Sequence, residues 1–320
     1  MARAVPPPHR PTGYTPDPRA TEKFVASLKN PTLATAGPDL VLDQTKDVSL
    51  WQYLLQVKPG YSRVAQQIGS CVGHGFSMNV DLLSSVQIAM HGYAEDWPGR
   101  CLEASIYGFS RVEARGQKVN NSGDGSYGAA AAKAVMNFGT LHYDVDYGGA
   151  NFKDYSGLRE SQWGRTGVPD ALEPYARKNT VKSAVLIESF DDFAKACQSG
   201  YPTAVCSTQA FVFKRDKDGF CKPDNSKEWP HCMAVGAVRF GRRPGGLVYQ
   251  SWGPNSNSGP HYSGDPNHPE FPDCYFLNST FWADADVLDK MFRGSDSFSL
   301  SGYEGFPLRN LRGPWTGGIL

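Results

Sequence analysis

The sequence predicts an α+β fold in which a helical half precedes a β half, with a cleft between them. A long apolar pattern at helical spacing runs from Cys71 to about Met90, and a second helical pattern runs from Gly128 to about Phe138. After about residue 184 the apolar runs become short and are separated by Gly, Pro, Asp and Asn, which is typical of strands. Because clefts commonly form where two such halves meet, a functional site is expected there.

Four segments are expected along the 320 residues. Eight of the 23 prolines lie in the first 38 residues, so residues 1–45 are predicted to form an extended arm rather than a packed element. Residues 46–180 are predicted to form the helical half, residues 181–300 the β half, and residues 301–320 a C-terminal extension. The alternative is a disordered tail, and if the arm is ordered, a neighbouring subunit or particle is expected to hold it.

The helix that begins at Cys71 is predicted to be buried on nearly all sides. Its apolar positions follow spacings of three and four, and Met78, Leu82 and Ile88 broaden the stripe until little polar face remains. The positions at helical spacing are Val72, Phe76, Val80, Leu83, Val86 and Met90. This stripe is interpreted as core packing.

Composition excludes several classes of partner. Lys plus Arg and Asp plus Glu are equal at 32 each, so no long-range field recruits nucleic acid or an anionic membrane. No apolar run approaches the length of a membrane-spanning helix. The first residues, MARAVPPPHRP, lack the apolar region of a secretory signal, which predicts synthesis in the cytosol.

The cysteines do not indicate a disulfide framework or a metal site. Their number is seven, which is odd, and no signal peptide is predicted. No CxxC pair occurs, and Cys221, His231, Cys232 and Cys274 lack the paired spacing of structural zinc sites. We therefore expect no bound metal.

Two further patterns resemble ligand-binding loops only superficially. The glycines of residues 123–128 read GxGxxG before a helix, but the preceding stretch is polar and supplies no buried strand, so a dinucleotide site is not expected. RDKDGF, residues 215–220, lacks the remaining ligands of a calcium loop and is better explained as a hairpin turn.

A thiol nucleophile with a histidine partner is the chemistry that the sequence favours. Cys71 follows a Gly-Ser turn at the start of the long helix, where unpaired amides and the helix dipole favour a thiolate. His231 opens the apolar run HCMAVGAVRF, so its ring is expected at a strand end that faces the cleft. The amide-bearing Gln250 and then Trp252 follow in YQSWG. A histidine of this kind can accept and return the proton of the thiol.

In this order of motifs the sequence resembles the papain-like cysteine peptidases. GSC at 69–71, HCMAVGAV at 231–238 and QSWG at 250–253 match the family's motifs, and the resemblance spans about residues 48 to 300. It implies a papain-like α+β fold, with a helical half, an antiparallel β-barrel-like half and the active-site cleft between them.

The resemblance also implies roles for individual residues. Cys71 would be the nucleophile, His231 the general acid and base, Gln250 the group that orients the imidazole, and Trp252 the shield over that hydrogen bond. The substrate would be a polypeptide or peptide, and the reaction would need no cofactor.

Two departures from the family's pattern concern the catalytic centre. Ala65 stands where the family has the glutamine of the oxyanion hole, so Gln66 and Gln67, one and two positions later, become the candidates for that role. Gln250 replaces the usual asparagine and adds one methylene group. A missing oxyanion donor costs about 10²–10³ in rate in known hydrolases, which weakens activity rather than abolishing it.

Three hypotheses follow for function. The first is a papain-like thiol hydrolase, most simply a cysteine peptidase, carried as a component of a bacteriophage particle, with residues 1–45 contacting other virion proteins. The second is a structural virion protein that keeps the fold but has little or no activity. The third is a virion-associated peptidoglycan amidase. The SWG segment favours the peptidase.

Overall fold

The computed structural model describes residues 10–92, 94–116, 123–254, 256–262, 277–294 and 296–311. The helices are α1 Pro18–Ser27, α2 Leu33–Ala36, α3 Trp51–Val57, α4 Cys71–Met90, α5 Glu103–Arg111, α6 Gly128–Asn137, α7 Gly157–Thr166, α8 Glu173–Ala176, α9 Phe190–Gln198 and α10 Ala285–Phe292. The strands are β1 Val48–Ser49, β2 Ser183–Leu186, β3 Thr203–Arg215, β4 Cys221–Arg239, β5 Gly245–Tyr249, β6 Thr280–Asp284 and β7 Phe298–Ser301.

The strands form one antiparallel sheet that follows the helical half. Its order is β2–β7–β3–β4–β5–β6, and β1 pairs with β4 outside this path. Every pair in the sheet is antiparallel. Helices α3 to α8 precede β2, whereas α9 and α10 lie between strands of the sheet. The predicted α+β fold, with a helical half and an antiparallel β half, is therefore confirmed.

Helix α4 is the element that joins the two halves. It packs against α3 and α5 on one side and β4 on the other, and it has the bounds that the apolar spacing predicts. Two glycines allow this close packing. A Cβ atom on Gly73 would lie 2.8 Å from the carbonyl oxygen of Glu103 in α5, and one on Gly75 would lie 2.8 Å from Cys232 Sγ in β4. The first residue of α4 is thereby fixed between both halves.

The N-terminal region differs from the extended arm predicted for residues 1–45. Residues 18–27 and 33–36 are helical, because Pro18 occupies the first turn of α1, where no amide hydrogen is needed, and Asp17 accepts a hydrogen bond from Ala20 N at 3.0 Å. Thr21 then donates to Asp296 Oδ1 at 3.0 Å, which ties α1 to the β half. Residues 10–17 keep an extended course, and residues 1–9 lie outside the described residues.

Strand β4 begins earlier than the sequence indicated. The stretch CKPDNSKEWP was interpreted as an insertion before His231, but it forms the first part of β4 and pairs with β3. The pairing contains register shifts between Ser207 and Arg215, which accommodate the proline and polar residues of this exposed part. His231 therefore lies within a strand, at the point where its exposed part becomes buried.

The region assigned to a C-terminal extension packs on the β half as far as it is described. Arg309 donates to Ser199 O at 2.9 Å and its guanidinium lies 4.0 Å from the ring centre of Tyr201. Residues 312–320 lie outside the described residues. No helix among the described ranges has the length and apolarity needed to cross a membrane. The same residues contain no cluster of three or more His, Cys, Asp or Glu side chains suited to a metal ion.

Substitution Gly73→Ala is expected to destabilise the protein. The added methyl group would overlap the backbone of α5, and overpacking of this kind costs about 1–3 kcal/mol, which exceeds the gain of up to about 1 kcal/mol from better helix propensity. Urea unfolding followed by circular dichroism measures the change. Ser84→Ala, on the same helix at a half-buried position, serves as the control and should change stability little. Equal unfolding midpoints for the two variants would contradict this account of the α4–α5 contact.

Candidate active site

Cys71 is the first residue of α4 and is completely buried. Ser70 precedes it at the N-cap position without a side-chain cap, so the first amides of the helix remain available to other acceptors. The backbone amides of Cys232, Gly13 and Val72 donate towards the sulfur. The nucleophile candidate thus lies between the start of α4, strand β4 and the N-terminal region.

Burial raises the pKa of the Cys71 thiol far above its usual value, and the nearby Cys232 thiol raises it further. The three backbone amides act in the opposite direction but do not overcome the loss of water. Cys71 is therefore a neutral thiol in this structure, whereas the sequence predicted a thiolate. Among the described residues, no hydrogen bond joins its sulfur to His231.

His231 is held by the two residues that the sequence assigned to it. Its Nε2 atom lies 2.6 Å from Gln250 Oε1, and the indole of Trp252 stacks on the imidazole with ring centres 4.4 Å apart and planes at 21°. Gln250 Oε1 also accepts from Ser251 N at 3.0 Å, which identifies it as the oxygen. Since an amide oxygen can only accept, Nε2 carries the imidazole hydrogen. Nδ1 has no hydrogen-bond partner among the described residues and is left as the basic nitrogen.

The surroundings of His231 keep the imidazole neutral. Burial lowers its pKa to about 4, the hydrogen bond with Gln250 raises it, and the nearby His74 lowers it. A neutral imidazole with a free Nδ1 can accept a proton from a thiol. It cannot stabilise a thiolate by charge.

Gln66, not Gln67, faces the cleft. The Nε2 atom of Gln66 donates to Pro11 O at 2.8 Å and to Ile68 O at 3.0 Å, and its side-chain oxygen accepts from Ser251 Oγ. Gln67 is exposed, with its side-chain oxygen directed at Gly157 on α7. The loop therefore places an amide donor in the cleft one position later than the family's glutamine.

The cleft between the two halves is occupied by residues 10–15, which we call the cleft segment. Its main chain is bound to the β half, where Gly13 N and Tyr14 N both donate to Pro230 O at 3.2 and 3.0 Å. It is bound to the helical half as well, where Thr15 N donates to Ser126 O and Ser126 N donates to Gly13 O, each at 2.8 Å. These are hydrogen bonds of the kind that hold an added strand or an extended peptide.

One carbonyl of the cleft segment accepts two side-chain donors of the site. Pro11 O accepts from Gln66 Nε2 and from Trp252 Nε1, both at 2.8 Å. Arg10 continues the contact, with its guanidinium 3.3 Å from the ring centre of Phe213. The donor from Gln66 thus already binds a peptide carbonyl oxygen of the segment whose Gly13 amide approaches Cys71.

The cleft segment fits because glycine occurs on both sides of the contact. A Cβ atom on Gly13 would lie 1.8 Å from Gly69 O, and one on Gly69 would lie 2.5 Å from Thr12 O. No side chain can be accommodated at either position while the segment stays bound. Sequence reasoning did not find Gly13 or Pro230, because a glycine in a proline-rich arm carries no local sign of a partner more than 200 residues away.

A second group that sequence reasoning missed lies behind Cys71. Glu160 on α7 is completely buried and accepts from Ser70 Oγ at 2.8 Å and from Tyr155 OH at 2.7 Å. His74, which carried no assigned role, lies 3.1 Å from the same carboxylate. The spacing between Ser70 and Glu160 gives no local signal that could have indicated this contact.

No protein-family model matches the sequence, and no curated protein matches it. Several solved structures do match. Xylellain, a cysteine protease from Xylella fastidiosa, is 12% identical with a TM-score of 0.52, over 93% of this chain and 96% of that chain. Procathepsin B S9 from Trypanosoma congolense is 10% identical with a TM-score of 0.48, over 92% and 86%. Bromelain from Ananas comosus is 11% identical with a TM-score of 0.43, over 81% and 99%.

The similarity to xylellain extends over almost the whole of both chains and shows a shared fold. The papain-like α+β fold that the sequence predicts is therefore confirmed. At 12% identity this likeness concerns the fold alone.

Substitution Gly13→Ala is expected to release the cleft segment and to accelerate alkylation of Cys71. In the wild type the raised pKa of the thiol and the lowered pKa of His231, about 4, keep both groups neutral at pH 6, so iodoacetamide should react slowly. Entry of water moves both pKa values towards their usual ranges and favours the thiolate–imidazolium pair. Peptide-resolved mass spectrometry measures the rate at Cys71.

Gly123→Ala is the matched control, because a Cβ atom there would have no neighbour within 4 Å. It should leave the alkylation rate at the wild-type value. If Gly13→Ala and Gly123→Ala label Cys71 at the same rate as the wild type, the cleft segment does not limit access to the thiol.

Proposed function

We propose that this protein is a papain-like cysteine peptidase that is held inactive by its own cleft segment. The observation that supports this best is the bound segment itself, which is an extended peptide held through main-chain hydrogen bonds to Pro230 and Ser126, directly beside Cys71. A cleft that binds a peptide by its backbone is suited to polypeptide substrates of varied sequence. The substrate class is therefore proposed to be polypeptide.

The first half of the reaction is acylation of Cys71. His231 Nδ1 takes the thiol proton while the sulfur attacks the carbonyl carbon of the substrate amide, and the developing oxyanion accepts a hydrogen bond from Gln66 Nε2. The C–N bond then breaks, His231 returns the proton to the leaving amine, and a thioester to Cys71 remains. Gln250 and Trp252 keep the imidazole in one orientation throughout.

The second half is hydrolysis of the thioester. A water molecule gives a proton to His231 Nδ1 and attacks the thioester carbonyl, and the C–S bond breaks. The proton returns to the sulfur, so that the free acid leaves and the thiol and neutral imidazole are restored. In both halves of the reaction, Cys71 and His231 are the protein groups that give and take the protons.

A structural protein without activity is the competing hypothesis, and a specific observation favours it. Burial leaves Cys71 as a neutral thiol with no hydrogen bond to His231 among the described residues. A peptidoglycan amidase would use the same two residues on a different amide. The activity experiment described below distinguishes each of these two alternatives from the peptidase.

We propose a bacteriophage particle as the setting because of the proline-rich region and by analogy with papain-like proteins encoded among bacteriophage structural genes. Residues 10–15 bind this same chain, so a virion protein that contacts the arm would use residues 1–9 or displace the cleft segment. Mass spectrometry of purified phage particles, where a phage encodes this chain, tests this setting. Absence of the chain from those particles would overturn it.

The activity experiment compares the full-length wild type with Gly13→Ala on a denatured protein substrate and on a mixture of muropeptides. We expect the variant to cleave the protein about 10-fold or more faster, because the competing segment is no longer bound. A peptidyl epoxide should label Cys71 in the variant. His231→Ala should lower the rate by about 10²–10⁴-fold through loss of general acid–base catalysis.

Cys232→Ala is the matched control for Cys71→Ala. Both remove a buried thiol from the same cluster, but only Cys71→Ala should abolish cleavage and labelling. Cleavage of muropeptides with no cleavage of protein would identify an amidase. If Gly13→Ala labels Cys71 rapidly with iodoacetamide but cleaves neither substrate, the structural-protein hypothesis replaces the peptidase.

A further inference from the structure

A buried cluster behind the candidate catalytic residues connects α4 with α7. His74 lies three residues after Cys71 and is 2% exposed. Its Nε2 atom lies 3.1 Å from Glu160 Oε1. The other oxygen of Glu160 accepts from Ser70 Oγ and Tyr155 OH. A carboxylate oxygen can only accept, so the His74 tautomer with its hydrogen on Nε2 suits this contact, although the two atoms do not meet in hydrogen-bond geometry.

His74 and Gln250 line the same small cavity. Its volume is about 20 Å³, which is enough for one water molecule, for which about 10–15 Å³ is needed. His74 Nδ1 and Gln250 Nε2 are both buried and, like His74 Nε2, have no hydrogen-bond partner among the described residues. Gln250 is itself only 6% exposed. Buried polar atoms are almost always paired, with protein groups or with ordered water.

The two nitrogens have complementary hydrogen-bonding roles. Gln250 Nε2 is a donor, and His74 Nδ1 is an acceptor when Nε2 carries the hydrogen. A water molecule can accept from the first and donate to the second. Arg63 also lines the cavity, but its guanidinium is 3.2 Å from Asp81 and 3.3 Å from Glu103, so it is already paired.

We propose that His74 is a positioning residue for the catalytic histidine, acting through one bound water molecule on Gln250. The nearby carboxylate of Glu160 favours the tautomer of His74 with its hydrogen on Nε2, His74 orders the water, the water holds the amide of Gln250, and Gln250 Oε1 orients His231. This inference rests on the proposed peptidase function. It gives a reason for Gln250 in place of asparagine, because the extra methylene group allows the amide to reach the cavity as well as the imidazole.

The test is a double-mutant cycle made in the full-length Gly13→Ala background. His74→Phe should lower kcat by about 10–100-fold with KM nearly unchanged, since a misplaced catalytic group costs up to about 10²-fold. His74→Gln should restore most of the rate, because an amide can donate to Glu160 and accept from the water. In a Gln250→Asn background, His74→Phe should cost much less, because the residue through which it acts no longer reaches the water.

His142→Phe is the matched control. His142 is also buried on the helical half, 4% exposed, but it does not line the cavity. It should leave kcat near the Gly13→Ala value in either background. A loss of stability without coupling to Gln250 is what a merely structural His74 would show.

A crystal structure of the full chain supplies a readout that does not depend on activity. We expect a water molecule within hydrogen-bond distance, about 2.7–3.2 Å, of both His74 Nδ1 and Gln250 Nε2. Additive effects of the two substitutions, or a cavity without that water, would overturn the positioning role while leaving the peptidase intact. If His231→Ala also leaves the rate unchanged, the proposed function itself fails.

Discussion

Main-chain hydrogen bonds to Pro230 and Ser126 hold residues 10–15 beside Cys71, and the burial of Cys71 and His231 keeps both groups neutral. Moving a proton from the thiol to the imidazole would create two charges, and each loses its hydration in the closed cleft. The site is therefore neutral although its residues are in place. In the proposed peptidase, activity would therefore depend on the access of solvent to these two residues.

In the helical half, by contrast, a buried group keeps its charge because it is paired with groups of opposite charge. The carboxylate of Glu103 is completely buried, and burial by itself opposes its ionisation, yet Arg100 and Arg63 hold its pKa at about 2. Tyr143 OH donates to the same carboxylate at 2.7 Å. This charged cluster packs against α4 next to Gly73 and helps to fix the position of the helix that carries Cys71. Glu103 is therefore ionised because guanidinium groups pair with it, whereas burial keeps Cys71 and His231 neutral.

The sequence was sufficient for features encoded by short-range patterns. The bounds of α4 and the motifs around Cys71, His231 and Gln250 could be read directly, because helical spacing and residue type determine them. The helix at residues 18–27 was missed because its proline was interpreted as a breaker, whereas a proline in the first turn starts a helix. The contacts of Gly13 and Glu160 join chain segments that meet only after folding, and no local sequence pattern predicts these contacts.

In the proposed peptidase, the cleft segment would compete with substrates as an intramolecular ligand, because it belongs to the same chain. A short tether keeps such a ligand at an effective concentration of the order of millimolar, whatever the concentration of the protein. Dilution cannot release it, and the tether from residue 15 to α1 is only a few residues long. An external substrate of the proposed peptidase would have to displace the bound segment, so the apparent KM of the intact chain would rise without a change in the chemical step. The close contact between Gly13 and Gly69 would then determine how readily a substrate enters the cleft.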